Sequence, residues 1–279
     1  MFKSKKYVRT ITHIPDDLWS EIKNILPDEK PENTIGRPIV PYRKVLDGIV
    51  FVLRTGCQWK MLPKEYGSGS TCHRRFQEWM RLGIFDLIWT RLLKLYDKKI
   101  GIKWNWQSID SISIKSPLGG AMTGHNPTDR SKLGSKRHIL TDQDGIPLCT
   151  FITSANTHDV IVATNTIDNI VIKRPSKYKH KQNLCLDKAY HSKEVEQEII
   201  DRGYLPHIRH RREEKLLHRR EEKLLHRKHP ARRWVVERTN SWHNRYRKLF
   251  TRYEKKDENY FGLVELANSL IIYRRLILG

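Results

Sequence analysis

The chain has 279 residues, with 53 Lys and Arg against 31 Asp and Glu, and its formal net charge is +22. Hydrophobic residues make up 38% of the chain and include 8 Trp, 11 Tyr and 7 Phe, enough for a core, so wholesale disorder is excluded. No apolar run approaches the roughly 18 residues of a membrane-spanning helix. The positive charge therefore points to a polyanionic partner, with nucleic acid ahead of an anionic membrane surface.

The N-terminal third of the chain shows apolar residues at helical spacing. Helices are predicted over 15–26, 45–53, 72–82 and 85–98. Ser70 is expected to cap the third helix, which carries Arg74 and Arg75 beside apolar Phe76 and Trp79. An arginine-bearing helix in a compact helical unit is typical of a helix-turn-helix module, although a plain helical bundle has the same spacing.

The pattern changes after residue 106. Strands are predicted over 107–114, 136–141, 146–154, 183–186 and 204–208, and helices over 158–170, 192–202, 231–250 and 260–278. The stretch DQDG at 142–145 predicts the turn of a hairpin. Three antiparallel strands followed by alternating helix and strand indicate an α/β domain with a mixed sheet. We expect two domains, a helical one over 1–105 and the α/β one over 106–279.

The positive charge is concentrated in one region. Residues 207–256 contain 18 Lys and Arg and 6 Asp and Glu, a net charge of +12. Such a density favours a surface that binds a polyanion by neutralising phosphates. Inside it the octapeptide HRREEKLL at 210–217 recurs exactly at 218–225. We interpret the repeat as a duplication tolerated in an exposed connection; the alternative is an extra basic helical arm that touches nucleic acid.

Three acidic residues stand within or at the ends of predicted elements. Asp110 lies in the first predicted strand, Asp187 follows the fourth, and Glu237 lies inside a predicted helix among cations. Singly, each would be an ordinary surface carboxylate. Together, three carboxylates can hold two magnesium ions, because Mg²⁺ prefers hard oxygen ligands. Two such ions support phosphodiester chemistry by activating the attacking oxygen and stabilising the leaving one.

Ordered motifs along nearly the whole chain resemble one protein family. They are VLRTGCQWKMLP at 52–63, PLGG at 117–120, NPTDR at 126–130, KLGSKRH at 132–138, CLDKAY at 185–190, HPARRWVVERT at 229–239 and RYRKL at 245–249. The chain thereby resembles bacterial insertion-sequence transposases of the DDE class, in the group named after insertion sequence five. The resemblance implies a ribonuclease H-like catalytic domain over 106–279, preceded by a helix-turn-helix-like DNA-binding domain over 1–105.

The resemblance also implies a set of site residues. Asp110, Asp187 and Glu237 are the expected catalytic and metal-binding triad, for two Mg²⁺ ions with Mn²⁺ as a possible substitute. DNA contacts are expected from Arg74, Arg75, Lys136, Arg137, Lys188, Tyr190, Arg233, Arg245 and Arg247. Arg233 and Arg245 are spaced to share a helix face with Glu237 and to reach terminal phosphates; salt bridging along the helix is the alternative.

Two positions differ from the pattern common in such relatives. Ser111 and Ala189 stand where glycine is usual, and an alanine at a position that needed positive φ would be strained.

The activity that the resemblance implies is binding of terminal inverted repeats, DNA cleavage and strand transfer by an oligomer. A catalytically silent DNA-binding regulator and a simple metal-dependent nuclease of the same fold stay open as alternatives.

The cysteines and the N-terminus bear on location. The four cysteines are dispersed without a CxxC, which favours reduced thiols in a cytoplasmic protein. The basic N-terminal stretch is not followed by a hydrophobic segment, so we expect no signal peptide. The expected location is the bacterial cytoplasm at the nucleoid, with DNA and no membrane as the partner.

Overall fold

A computed structural model describes residues 11–31, 39–176, 181–208 and 234–278 of the chain. Its helices are α1 (Asp16–Ile22), α2 (Tyr42–Thr55), α3 (Gly69–Arg81), α4 (Ile84–Lys99), α5 (Asp159–Asp168), α6 (Lys193–Asp201), α7 (Trp234–Asn244), α8 (Arg247–Phe250) and α9 (Asp257–Leu278). Its strands are β1 (Trp106–Lys115), β2 (Gly124–His125), β3 (Leu133–Thr141), β4 (Pro147–Ser154), β5 (Gln182–Leu186) and β6 (Tyr204–Ile208).

The chain divides into two compact units. The helical unit comprises Met1–Gly101 together with Trp242–Gly279, and the α/β unit comprises Ile102–Ser241. The first break lies close to the predicted boundary at 105/106. Residues 242–279, however, join the helical unit and not the α/β unit to which the sequence assigned them. The physical reason is that α9 is apolar on nearly every side and packs extensively against α4.

Amphipathic spacing builds the helical unit. In α2 the side chains of Val45, Leu46, Ile49 and Leu53 are fully buried, and the helix stops at Gly56, whose φ of 73° is left-handed. The start of α3 differs from the prediction. Its N-cap is the hydroxyl of Ser68, which accepts a hydrogen bond from the Thr71 N–H at 3.1 Å; Ser70 already lies inside the helix. The helical character of this region is confirmed, and its likeness to a helix-turn-helix module stays a prediction.

The α/β unit is built on one mixed sheet. Strand β3 pairs antiparallel with β1, β2 and β4, while β1–β5 and β5–β6 are parallel. The order β4-β3-β1-β5-β6 is that of a ribonuclease H-like sheet, so the predicted fold class is confirmed. The predicted hairpin turn also forms between β3 and β4. There the buried carboxylate of Asp142 accepts the N–H groups of Asp144 and Ile146, both at 2.9 Å.

The long helix predicted over 231–250 is interrupted. Among the residues that the structure describes, α7 ends at Asn244 and α8 begins at Arg247. Tyr246 between them has φ −91° and ψ 95°, outside the helical region. Because Tyr246 is buried, its side chain is held in the core of the helical unit and the backbone turns there.

The four cysteines all lie among the described residues and form no disulfide, and Cys72, Cys149 and Cys185 are buried. Across the described parts of the chain, no helix combines the length and the apolar character that crossing a membrane requires.

Candidate active site

Two of the three predicted acids come together through the register of the sheet. The parallel pairing of β1 with β5 places Ser108 beside Cys185. Asp110 follows two residues later on β1, and Asp187 follows two residues later, one residue past the end of β5. The two neighbouring strands lie about 4.8 Å apart. Both side chains are half-buried. The sheet therefore brings two carboxylates to the same edge, near the point where β5 ends.

The turn after β5 closes over this pair. The carboxylate of Asp187 accepts the N–H of Lys188 at 2.7 Å, which starts a short 3₁₀ turn over Lys188–Tyr190. This turn buries the phenol of Tyr190. Burial raises the pKa of Tyr190 well above its usual value, and the negative charges of Asp159 and Asp110 act in the same direction. The phenol therefore stays neutral beside the acids.

Helix α7 carries the third acid and is fixed to the sheet by its other face. The hydroxyl of Thr239 donates to the carbonyl of Gly145 at 2.7 Å, and the guanidinium of Arg238 donates to the carbonyl of Asp144 at 2.6 Å. The amide of Asn240 reaches the carboxylate of Asp110 at 3.5 Å. Glu237 lies one turn before Asn240 and is exposed. The helix that carries Glu237 is thus fixed beside Asp110.

The three acids do not form a finished metal site. Among the residues that the structure describes, no group of three or more His, Cys, Asp or Glu side chains is arranged to hold a metal ion. The donor type fits Mg²⁺, since all three are carboxylates. The structure thus brings Asp110 and Asp187 together and brings α7 to Asp110, but it does not place the Glu237 carboxylate with the other two.

A polar network lies on the opposite face of β1. The carboxylate of Asp159, at the start of α5, accepts from the Ser111 hydroxyl at 3.0 Å and from the Lys136 ammonium at 3.1 Å. Burial lowers the pKa of neighbouring His138 to about 4, so its 3.9 Å approach to Asp159 is not an ion pair at neutral pH. The neutral ring bonds to the Thr153 hydroxyl at 2.9 Å.

The structure accounts for the two positions where relatives usually have glycine. Ser111 uses its hydroxyl to hold Asp159, so the extra atoms have a partner. Ala189 lies in the 3₁₀ turn after Asp187, and it is not among the described residues with positive φ. No backbone strain therefore arises from alanine at that position.

Several predicted DNA contacts lie elsewhere than expected. Arg137 is completely buried, because its strand lies in the centre of the sheet with β1 and β4 on either side. That burial, like the burial of Tyr190, does not fit the expected contact with DNA. Lys136 is also largely enclosed, since its ammonium donates to the Thr157 carbonyl at 2.7 Å as well as to Asp159.

Other predicted cations do reach the surface. Arg74 on α3, Lys188 after β5 and Arg247 on α8 are exposed. Arg75 is held by Glu78 at 2.6 Å. Arg245 lies beyond the end of α7, so the expectation that it shares a helix face with Glu237 is wrong: the helix stops at Asn244. Arg233 and the repeat at 210–225 lie outside the described residues.

Sequence reasoning missed two residues of this region. Asn240 lies three residues after Glu237 on α7, and the i,i+3 spacing along the helix could have indicated that both lie near the same sheet edge. Asp159 lies in the first turn of α5, where an acid is commonly read as a helix-stabilising charge. Only the packing of α5 on the sheet shows that Asp159 holds Lys136 and Ser111.

Two family patterns match the chain. The family described as "Transposase DDE domain" matches residues 107–272, and the family described as "Putative transposase of IS4/5 family (DUF4096)" matches residues 14–89. The first covers more than half of the chain and includes all three acids. The second covers most of the N-terminal helices.

Individual proteins are similar as well. The chain is 39% identical over 118 residues to an uncharacterized 16.2 kDa protein of insertion element IS402 from Burkholderia cepacia, across 41% of this chain and 80% of the relative. It is 35% identical over 161 residues to a putative transposase for insertion sequence element IS402 from the same organism, across 57% of this chain and 72% of the relative.

Among solved structures, the chain matches a pre-cleavage Mos1 transpososome at 12% identity and a TM-score of 0.29, across 89% of this chain and 82% of that one. The family assignment depends on the sequence matches, and the one over residues 107–272 includes all three acids. On those matches, this chain belongs to the DDE transposases of bacterial insertion sequences.

Proposed function

We propose that this DDE transposase binds the terminal inverted repeats of its insertion sequence, cleaves DNA at the element end and transfers the freed strand into a target site. The observation that carries the proposal is that Asp110 on β1 and Asp187 just past β5 lie near the same end of the sheet, with the amide of Asn240 on α7 reaching Asp110 at 3.5 Å. Paired carboxylates in a strongly basic chain suit a reaction on a phosphodiester.

In this proposal Asp110, Asp187 and Glu237 are the catalytic carboxylates and would hold two Mg²⁺ ions, for which Mn²⁺ can substitute. Bound there, divalent ions would supply an activated water and stabilise the charge on the leaving oxygen. Asp110 and Asp187 contribute oxygens from adjacent strands, and Glu237 contributes the third carboxylate from α7. Asn240 orients the Asp110 carboxylate through its amide.

The residues around the acids position DNA. Lys188 is exposed directly after Asp187, where its ammonium can contact the phosphate next to the one that is cut. Tyr190 supports this contact indirectly, because its buried side chain anchors the short turn that also carries Lys188. Arg74 on α3 and Arg247 on α8 offer further exposed guanidinium groups to the backbone.

The proposed reaction has two steps, hydrolysis and strand transfer. Hydrolysis breaks the P–O3′ bond at the element end: the water oxygen joins the 5′-phosphate of the flanking DNA, and O3′ leaves with a proton as the free 3′-OH of the transferred strand. That 3′-OH then attacks a target phosphodiester, and one bond forms as one breaks. No external energy source is needed, because the second step conserves the number of phosphodiester bonds. Joining two element ends requires two active sites, so we propose a homo-oligomer on DNA at the bacterial nucleoid.

The test is a cleavage and joining assay. Labelled element-end DNA, target DNA and Mg²⁺ are incubated with wild-type protein, Asp110→Asn or Glu237→Gln, and products are resolved on denaturing gels. We expect cleaved and joined products from wild type and a loss of about 10² or more in rate for either variant. Glu258→Gln, which removes an exposed acid from α9, is the control and should keep full activity.

A catalytically silent DNA-binding regulator is the second candidate, and one observation favours it. Among the described residues the three carboxylates do not form a metal site. Element-end binding with no cleavage by wild type would therefore support the regulator and contradict the enzyme. Cleavage without joined product would indicate a nuclease of the same fold.

A further inference from the structure

A cavity of about 260 Å³ in the helical unit is lined by arginines. Its cationic walls are Arg54 from α2, Arg245 from the segment after α7, and Arg274 and Arg275 from α9. Two aromatic side chains, Trp242 and Tyr246, and apolar side chains of α9 complete the walls. Four guanidinium groups from three separate segments therefore converge on one space.

The guanidinium of Arg54 lies close enough to those of Arg245 and Arg274 for their positive charges to repel it. Burial lowers the pKa of Arg54; the phenol of Tyr246 opposes this, and the positive charges of Arg274 and Arg245 lower the pKa further. Like charges gathered in a partly buried space cost free energy unless a counter-charge is present. The cavity is thus electrostatically suited to an anion.

The described part of the protein supplies no such counter-charge. The described residues that line the cavity include no carboxylate. None of the four arginines forms a salt bridge with another described residue. In the same unit, by contrast, Arg43, Arg75 and Arg91 are each paired with an acid. The four arginines of the cavity therefore differ from these three neighbours in having no described acid as an ion-pair partner.

Two of the four arginines are also held in place by contacts within the protein. The guanidinium of Arg54 lies 4.0 Å over the ring of Tyr246, and its Nε donates to the carbonyl of Ile11 at 3.1 Å. The guanidinium of Arg275 lies 5.8 Å from the ring centre of Trp242. Cation–π contacts of this kind fix the planes of the guanidinium groups and leave their N–H groups for a ligand.

We propose that this four-arginine pocket binds a phosphate group of the DNA backbone. Guanidinium groups match phosphate oxygens with paired N–H donors, and several together suit one phosphate better than a carboxylate. The cavity has the liquid volume of roughly nine waters, room for one phosphodiester group. Its apolar walls suit the adjoining sugar. The inference rests on the proposed function only in taking DNA as the source of the phosphate.

The test measures DNA affinity against salt. Fluorescence anisotropy with an element-end duplex compares wild type with Arg274→Gln and Arg275→Gln, and with Arg274→Lys as the charge-conserving variant. Arg91→Gln is the matched control, since it removes one exposed arginine of the same unit that pairs with Glu21 at 2.9 Å. We expect about tenfold weaker binding for each Gln variant, a salt slope smaller by about 1, partial recovery in Arg274→Lys, and less than a twofold change in the control.

Folding is checked by circular dichroism and by the thermal midpoint. Folded Gln variants with wild-type affinity and slope would overturn the proposal. The thermal midpoint is also measured with inorganic phosphate and with pyrophosphate. Variants that lose the stabilisation by these anions but still bind DNA normally would also overturn the proposal, because the pocket would then take a free phosphate. Should Arg274→Gln fail to fold, Arg274→Lys and Arg275→Gln decide the matter by the same criteria.

The cleavage assay separates this inference from the proposed function. If the pocket variants bind DNA more weakly and the wild-type protein does not cleave, the pocket proposal is supported and the proposed enzymatic activity is contradicted. Cleavage by wild type that Asp110→Asn abolishes, beside pocket variants with unchanged DNA binding, would support the enzyme and overturn the pocket.

Discussion

At the scale of single residues, burial decides which ionisable side chains of this protein carry charge. Lys248 and Glu254 are both buried and pair at 3.0 Å, so each compensates the other. Burial raises the pKa of Asp142 to about 6, although the backbone N–H groups of Ile146 and Lys103 favour its ionised form. For Glu265, by contrast, no described residue offsets the effect of burial: burial raises its pKa to about 8, and the negative charge of Asp86 raises it further.

Glu265 makes stability depend on pH. Its pKa in the folded chain, about 8, lies above the ordinary value of 4.5. The folded state therefore binds the proton more tightly, and the associated stability is complete below pH 4.5 and is lost as pH rises through about 8. Between pH 5 and pH 9 we expect this residue to lower the free energy of unfolding by a few kcal/mol, because each tenfold change in proton affinity is worth about 1.4 kcal/mol.

Urea unfolding at pH 5, 7 and 9 checks this. Glu265→Gln should remove most of the decline, whereas Glu258→Gln, which changes an exposed acid of the same helix, should retain it. A difference between wild type and Glu265→Gln that stays constant from pH 5 to pH 9 would contradict the assignment.

At the scale of elements, caps and turns decide where the helices begin and end. Periodicity predicted α3 correctly but not its first residue, because Ser68 and Ser70 are equally good caps in the sequence. The choice depends on the packing of Gly69 against the turn at Trp59–Met61: a Cβ on Gly69 would overlap the backbone carbonyl oxygen of Trp59. The interruption between α7 and α8 likewise depends on the burial of Tyr246.

Gly69→Ala is therefore expected to be destabilising. The carbonyl of Trp59 belongs to the backbone and cannot rotate away, so the 3₁₀ turn or the start of α3 must shift, at a cost of about 1–3 kcal/mol or more. Chemical denaturation followed by tryptophan fluorescence measures the change. Ser70→Ala, one residue further along and exposed, is the control and should stay within about 0.5 kcal/mol of wild type. Equal stability of the two variants would refute the close approach.

For the whole molecule, the net charge of +22 bears on association more than on folding, and it favours binding to a polyanion. More than half of it falls within residues 207–256, of which 209–233 lie outside the described residues. The described part adds a second concentration of charge, the four-arginine pocket, which draws on segments far apart in the chain.

DNA affinity should accordingly fall steeply with salt. With 6–10 phosphate contacts, affinity is expected to drop by about 10³–10⁵ between 50 and 200 mM salt, because each contact releases condensed counterions. Anisotropy titrations with the element-end duplex and with an unrelated duplex of the same length give the slope for each. Similar slopes for the two duplexes would mark the contacts as backbone contacts, and an affinity that changes less than tenfold would contradict a charge-driven interface.

The role of the three acids stays a prediction, whereas the amino-acid sequence was enough to establish the fold class, the family and most strands and helices. These depend on local properties: apolar periodicity, turn residues and the order of motifs. Only the packing of the elements shows that residues 242–279 join the helical unit and that Arg137 is buried. It also shows that, among the described residues, Glu237 does not complete a metal site with Asp110 and Asp187. It also decided that Arg54 meets Arg245, Arg274 and Arg275. Contacts between residues distant in the chain follow from how the elements pack, and no periodicity within an element records that packing.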